Sequence, residues 1–524
     1  VEVGRIIGTT SLNKYMFAIS KDKESKVRKD DFVSVVEPIS KQEVIGIIRS
    51  IIISNQLLPD EFARESTHLD SYMNMYDFEE GEYLVGVVSI LGHFERGEMD
   101  MPKYALRPGS KVMLTHDDKL RELMKVPDSK ALDVGTIDVR EDVKAYVDVN
   151  RLVSMHSAIL AMTGAGKSYA AGVVIEEILK KNGAIIVIDP HGEYKYLGYK
   201  SDDTESEIHD NVVVFGIGKD AHNRIMLRAN NLNTEDIASL IPGVTETQKG
   251  VLYSIIDLCR ETNPEYTLTD LTDTLHMVLE KKENKDNDDE LLGAKLDGKL
   301  TKLAKKAPVG TVNALIRRLD SLKRTGIVCN TETVLEELVK PQQVSVVDLS
   351  GVSENIRELV VGALARRIFY SRMNYVNGYG GECLEIPCLM CVEEAHNFIP
   401  RDFDRPVVSR SIMRKIAREG RKFGVGLCLI SQRPSRLDQD VLSQCNTLMT
   451  LKIVNPIDQN YIRDSAESMT EDVINDLPSL NRGECIITGA AINFPMHVRI
   501  RERDTKPGGS DVDVVEAWKR YLGK

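Results

Sequence analysis

A lysine and a hydroxyl closing a run of small residues can hold a triphosphate, and the chain has them in Ala161-Met-Thr-Gly-Ala-Gly-Lys-Ser168. Small residues let backbone N–H groups curl around a β-phosphate, and a following helix adds the positive end of its dipole. In this pattern Lys167 reaches the β- and γ-phosphates and Ser168 offers its hydroxyl to Mg²⁺. Thr163, Gly164, Ala165, Gly166, Lys167, Ser168 and Tyr169 are the candidate phosphate-binding stretch. Ala161 stands where the usual pattern has its first glycine, which is tolerable at negative φ. The expected ligands are ATP and Mg²⁺, and the expected reaction is hydrolysis.

Hydrolysis needs an acid beside the metal and a group that orients water. Cys388-Leu-Met-Cys-Val-Glu-Glu394 brings two acids to the end of an apolar run. Glu393 takes the metal-side position, where Asp is commoner, and Glu394 is the candidate catalytic base or water-positioning residue. Asp189 ends another apolar run and opens Asp189-Pro-His-Gly-Glu193. Strand C-termini line the ligand crevice of a parallel sheet, so Asp189 is a candidate to assist metal or water. A turn-forming Asp before proline is an equal alternative. Gln432 follows Leu427–Ile430 and Ser431, where its amide can bond a γ-phosphate and sense its loss.

Arg405–Lys422 is strongly basic. In a helix, Arg414, Arg418 and Arg421 share one face. Such a face is commonly just solvated, but an arginine there can also reach a neighbouring subunit's nucleotide. Arg418 is the first candidate and Arg421 the second. Lys295, Lys299, Lys302, Lys305 and Lys306 form another cluster, read as a solvated face more than as a phosphate contact. Cys388 and Cys391 have metal-like spacing, yet on a strand residues three apart point to opposite faces, so both are read as small core residues.

These groups need a scaffold that brings strand ends together. Ala158–Leu160, Ala184–Ile188, Val212–Phe215, Val344–Val347, Leu389–Val392 and Gly426–Ile430 are apolar runs alternating with helical patterns. That predicts an α/β core with a parallel-rich sheet covered on both faces. Helical spacing recurs after Gly166, through Ala170, Val173, Val174 and Ile178, and again over Glu354–Met373. Residues 231–340 read as a helical insertion, with Thr247–Leu258 and Thr311–Lys323 as helices and Glu280–Glu290 as a charged, solvated run. Residues 1–115 hold short β-branched runs (Tyr15–Ser20, Phe32–Val36, Val44–Ile53 and Tyr83–Leu91) that predict a small barrel or sandwich. The expected division is a β-rich domain at 1–115, a linker at 116–150, the ATPase core at 151–230 and 341–505 around the insertion, and a tail or helix at 506–524.

The chain has 524 residues and a net charge of −12, which argues against a surface that coats nucleic acid everywhere but permits a local basic channel. No apolar stretch reaches the roughly 20 residues that span a bilayer. Eight scattered cysteines lack a disulfide-like spacing. A cytoplasmic, non-membrane protein is expected.

Met162-Thr-Gly-Ala-Gly-Lys-Ser168, Asp189-Pro-His-Gly-Glu-Tyr194, Val392-Glu-Glu-Ala-His-Asn-Phe398 and Ile430-Ser-Gln-Arg-Pro-Ser435, in that order, resemble the HerA family, archaeal DNA-translocating ATPases of the HerA/FtsK superfamily. The resemblance extends over nearly the whole chain. It implies a RecA-like core, an N-terminal HAS-barrel, homo-hexameric rings with ATP between subunits, and translocation of double-stranded DNA. It also implies a NurA-type nuclease partner in DNA end resection and recombinational repair. Carried over, Lys167 and Ser168 bind phosphate and Mg²⁺, Glu394 activates water, Gln432 senses the γ-phosphate and Arg418 matches the trans arginine. Relatives can carry a basic residue before His156, where this chain has Met155. A protein-unfolding ring ATPase with an N-terminal barrel is the alternative from another class.

Overall fold

The computed structural model describes residues 1–55, 81–95, 98–217, 223–239, 244–283, 294–401, 407–508 and 514–522. It divides into two compact units. The first joins Val1–Asp148 to Ser468–Arg501, and the second joins Val149–Glu467 to Glu502–Lys524.

In the first unit, β1 (Glu2–Ile7), β2 (Lys14–Ile19), β3 (Phe32–Val36), β4 (Glu43–Asn55), β5 (Glu82–Glu95), β6 (Glu98–Asp100) and β7 (Lys111–Leu114) form one antiparallel sheet. The order β2-β1-β7-β3-β4-β5 closes on itself through a β2–β5 pairing, so the expected small β-structure is a barrel. Tyr15, Phe17, Val33, Ile48, Val88 and Val112 fill it from different strands. Closure leaves those strands without free edges.

Residues 116–150, expected as a linker, instead hold a short helix, Asp117–Leu123, and the hairpin of β8 (Ala131–Ile137) and β9 (Arg140–Asp148). In β9, Val143, Ala145 and Val147 are buried between exposed or half-buried neighbours. That period of two was hidden by the charged residues on the alternate positions. Residues 468–501, expected within the ATPase core, belong to this first unit. There β20 (Glu484–Gly489) pairs with β21 (Met496–Ile500), and β21 pairs antiparallel with β8.

The second unit is built on a sheet in the order β13-β12-β16-β11-β17-β18-β10-β19. Its strands are β10 (Ser157–Leu160), β11 (Ala184–Asp189), β12 (Val212–Gly216), β13 (Asn223–Arg224), β16 (Gln343–Asp348), β17 (Cys388–Val392), β18 (Val425–Ser431) and β19 (Thr447–Thr450). Among the described residues their pairings with one another are parallel. Every residue of β11, β17 and β18 is buried, as expected for strands covered on both faces. The α/β class and parallel-rich sheet read from the apolar runs are thus the observed ones. Cys388 and Cys391 are buried core residues of β17, and among the described residues no His, Cys, Asp or Glu group could hold a metal alone.

A small parallel pair, β14 (Leu227–Arg228) with β15 (Val328–Cys329), brackets a helical region. It contains α1 to α4 of the insertion: α1 (Glu246–Thr262), α2 (Leu268–Glu283), α3 (Ala294–Lys306) and α4 (Val309–Thr325). The charged run beyond Glu283, Arg405 and the side chain of Lys295 lie outside the described residues. Around the sheet are α5 (Lys167–Lys180), α6 (Glu354–Asn377) and α7 (Val408–Phe423), and a last helix, α8, spans Val514–Leu522. Among the described residues no helix is long and apolar enough to cross a membrane.

Candidate nucleotide site

The register of the sheet brings the motifs to one edge. Leu160 of β10 pairs with Ser431 of β18, Val392 of β17 pairs with Leu429 of β18, and Ile188 of β11 pairs with Val392. The segments leaving those strands therefore start at similar heights, with β18 lying between the P-loop strand and the acid strand.

The P-loop runs from β10 into α5. Gly164 has φ +78° and Gly166, the N-cap of α5, has φ +101°. Those left-handed conformations explain the two glycines. Ala161 is not among the positive-φ residues, so the departure from the usual glycine costs nothing there.

Lys167 has only 6% of its side chain exposed and bridges both acids. Its Nζ lies 2.5 Å from Glu393 Oε1 and 2.7 Å from Glu394 Oε1. Burial alone would lower the ammonium pKa, but the two carboxylates outweigh it and hold the lysine above its ordinary value. Burial pushes the Glu393 carboxyl up to about 7, against the pull of Lys167 and the Tyr194 hydroxyl. Tyr194 OH donates to Glu393 Oε2 at 2.6 Å.

Glu394 sits in a left-handed conformation, φ +49°, that ordinary side chains avoid. Its Oε1 accepts from Lys167 Nζ and, at 2.6 Å, from Gln432 Nε2. Gln432 Oε1 in turn accepts from Thr163 Oγ1 at 2.5 Å. Glu394 Oε2 is buried and, among the described residues, has no hydrogen-bond donor in bonding geometry, although His396 Nδ1 lies 3.2 Å away. One carboxylate oxygen is held by two donors, while the other makes no hydrogen bond among the described residues.

Ser168 Oγ donates to Glu193 Oε2 at 2.7 Å. Asp189 is turned into its own loop. Its Oδ1 accepts from the backbone N–H of His191 and Gly192, and its Oδ2 from that of Tyr194. The Asp189 turn thereby aims Glu193 at Ser168 and Tyr194 at Glu393. Ser168, Glu393 and Glu193 supply only oxygen, and Mg²⁺ is usually held by a few such groups together with substrate phosphates. The donor set fits Mg²⁺ shared with a nucleotide.

The structure thus brings together Thr163, Lys167, Glu393, Glu394 and Gln432, with Ser168 on Glu193 beside Lys167 in α5. Tyr169 OH accepts from the Arg503 backbone N–H at 2.7 Å. Sequence reasoning missed Glu193, Tyr194 and Arg503. The first two were signalled by the Asp-Pro-His-Gly-Glu-Tyr run, whereas nothing local marks Arg503.

The basic helix α7 divides in use. Arg410 and Arg414 reach Asp438 Oδ2 at 3.1 and 2.6 Å. Arg418 is 61% exposed and, among the described residues, makes one pair, 3.2 Å, with Asp440, itself 55% exposed. Arg421 is exposed. In the insertion, Lys299 pairs with Glu261 at 2.5 Å, and Lys302, Lys305 and Lys306 are exposed.

Comparison with known proteins gives the same family from two directions. A family model described as "Helicase HerA, central domain" matches residues 132–368. The chain is 32% identical to the DNA double-strand break repair helicase HerA of Pyrococcus furiosus, over 99% of this chain and 97% of the relative. It is 30% identical to a probable helicase of Methanocaldococcus jannaschii, over 99% of this chain and 94% of the relative. Among solved structures, VirB4 of Thermoanaerobacter pseudethanolicus matches with a TM-score of 0.48 at 16% identity, over 72% of this chain and 97% of that one. The plasmid coupling protein TrwB with ADP and Mg²⁺ also matches with a TM-score of 0.48, at 12% identity, over 75% of this chain and 94% of that one. The sheet, its P-loop and its acid pair, joined to full-length relatedness, make this chain an ATP-hydrolysing P-loop enzyme that belongs to the HerA helicase family.

Proposed function

We propose that this enzyme is an ATP-driven motor on double-stranded DNA, working as a homo-hexameric ring with a NurA-type nuclease in DNA end resection and recombinational repair. The observation that carries it is the Lys167 bridge to Glu393 and Glu394, with Gln432 hung on the same Glu394 oxygen. Such a cluster changes partners when a γ-phosphate arrives between its members. The relatives named as DNA repair helicases supply the DNA substrate.

Lys167 and the backbone of Thr163–Tyr169 hold the phosphates. Ser168 and Glu393 hold Mg²⁺, which when bound would neutralise phosphate charge. Glu394 takes a proton from the attacking water on Oε2, the oxygen that has no hydrogen-bond partner among the described residues. Gln432 bonds the γ-phosphate and, released by its loss, returns to Glu394. Asp189 shapes the turn that carries Glu193 and Tyr194. Arg418 of each subunit reaches the next subunit's nucleotide, so hydrolysis loosens that interface. DNA is gripped through backbone phosphates without reading sequence, so binding weakens as salt rises.

The test is ATP turnover with linear duplex DNA or with unfolded protein, with particle size measured on the same sample. Stimulation by duplex DNA in a hexamer-sized particle is expected. Stimulation by unfolded protein alone would favour the protein-unfolding alternative, and no response to either would reject the motor.

A further inference from the structure

Residues 502–508, where the chain returns to the ATPase unit after β21, form a strap against α5. Three strap donors converge on the buried Glu176 carboxylate of that helix. The Thr505 backbone N–H and Thr505 Oγ1 donate to Glu176 Oε1 at 2.9 and 2.7 Å, and the Asp504 backbone N–H donates to Oε2 at 3.3 Å. Further along, the Lys506 backbone N–H donates to Tyr199 O at 2.6 Å. Gly508 lies so close to Glu193 that a Cβ there would stand 2.0 Å from the Glu193 carbonyl oxygen.

Arg503 occupies the middle of the strap with 2% of its side chain exposed. Its Nη1 donates to the Ser168 carbonyl oxygen at 3.3 Å, its Nε to Thr505 Oγ1 at 2.7 Å, and its backbone N–H to Tyr169 OH at 2.7 Å. Among the described residues Nη2 has no hydrogen-bond partner although it is buried. The guanidinium lies against Gly172, where a Cβ would meet Cζ at 2.4 Å. A glycine inside a helix costs about 1 kcal/mol relative to alanine, and here it leaves room for the arginine.

The strap therefore touches both sides of the Ser168–Glu193 contact, the first turn of α5 through Arg503 and the Glu193 backbone through Gly508. We propose that Arg503 is a positioning residue for metal binding, holding the Ser168 backbone so that the hydroxyl meets Mg²⁺ in place. The inference rests on the assignment of Ser168 to Mg²⁺ in the proposed function. Groups that orient metal ligands from behind typically change metal affinity 10–100-fold when removed.

The experiment uses the full chain and a fluorescent ATP analogue, with binding titrated across Mg²⁺ concentrations and repeated in EDTA. Arg503→Ala is the direct variant. Gly172→Ala is the second, because alanine favours the helix while displacing only the tip of a flexible side chain. Both should raise the Mg²⁺ midpoint for binding about tenfold, leave affinity in EDTA within about twofold, and shift the Mg²⁺ dependence of turnover in parallel. Arg503→Lys, which keeps the charge but loses the fork, should fall between them and the unmodified chain. An unchanged Mg²⁺ midpoint in folded Gly172→Ala overturns the proposal, even if Arg503→Ala does not fold. An equal loss of affinity with and without Mg²⁺ also overturns it, because the strap would then only support the fold. If the unmodified chain binds the analogue with no response to Mg²⁺, the metal assignment of Ser168 fails first.

Discussion

The pocket around Lys167 and the outer end of α7 are both charged, and they are built in opposite ways. Lys167 is 6% exposed and held by two acids, and one of those acids is held again by Gln432 and, through it, Thr163. Arg418 is 61% exposed and, among the described residues, has a single partner, itself exposed. The first arrangement is complete within one chain and resists disturbance, because each group fixes the next. The second contributes little to the fold that presents it, since exposed ion pairs are worth about 0–1 kcal/mol. A residue with little structural duty is free to serve an adjoining subunit.

Lys167→Ala should break the contrast most severely. Nucleotide binding and turnover should both disappear, as read by equilibrium dialysis and phosphate release. Removing one partner of a buried ion pair costs about 3–5 kcal/mol, but Glu393 can relieve part of that by taking a proton. Burial has already raised its pKa to about 7 from 4.5, so the folded chain binds more protons than the unfolded one between those values. Its contribution is then fully present below about 4.5 and is lost as pH rises through about 7. Denaturant midpoints across that window should show the variant's deficit growing with pH.

Arg418→Ala should leave the denaturant midpoint almost unmoved, within about 0.5 kcal/mol of stability, yet lower turnover about a thousandfold. Mixing it with Lys167→Ala should restore some turnover, since each protein supplies what the other lacks at a shared interface. No recovery in verified mixed rings counts against the trans role. Equal loss of stability and turnover would erase the distinction between the two regions.

His156 lies just before β10, packed against β18 and α7. Its Nδ1 accepts from the Leu427 backbone N–H of β18 at 3.0 Å, and it sits beside Gly420 of α7. Burial lowers its pKa from 6.5 to about 4. The unfolded chain therefore binds the extra proton first, so this contribution is intact above about 6.5 and falls away as pH drops toward 4, by about 3 kcal/mol in all. Urea midpoints from pH 7 to 4 should fall less steeply in His156→Gln, whose amide oxygen can still accept from Leu427. An identical slope would remove His156 from that account.

Thr163→Val should have the smallest effect. It removes the donor to Gln432 and leaves Lys167 and the acids in place. Turnover should fall about fivefold with little change in binding, the scale of one hydrogen bond. A loss as large as that of Lys167→Ala would mean the cluster is less robust than its connections suggest.

The two regions also differed in how far they could be read from sequence. Lys167, Ser168, Glu393, Glu394 and Gln432 sit at the ends of short apolar runs, and the period of those runs predicts a covered parallel sheet. Their convergence follows from strand order. Glu193 and Tyr194 lay inside a visible motif, but only the turn made by Asp189 shows where they point. Arg503 was illegible because its partners, Ser168, Tyr169 and Gly172, are more than three hundred residues away. Strands β9 and β21 were missed because polar residues alternate with their buried ones, and the grouping of β20 and β21 with β8 was missed because the β21–β8 pairing joins distant parts of the chain. The N-terminal barrel was visible as short strands, while its closure depended on the β2–β5 pairing.

Glu394→Gln gives the most direct test of the central claim. The amide keeps the shape and the anchor to Gln432 but cannot take a proton from water. With Mg²⁺ present, radiolabelled ATP should bind within about threefold of the unmodified chain, while single-turnover hydrolysis should fall at least about a hundredfold. Hydrolysis at the unmodified rate would show that another group activates the water.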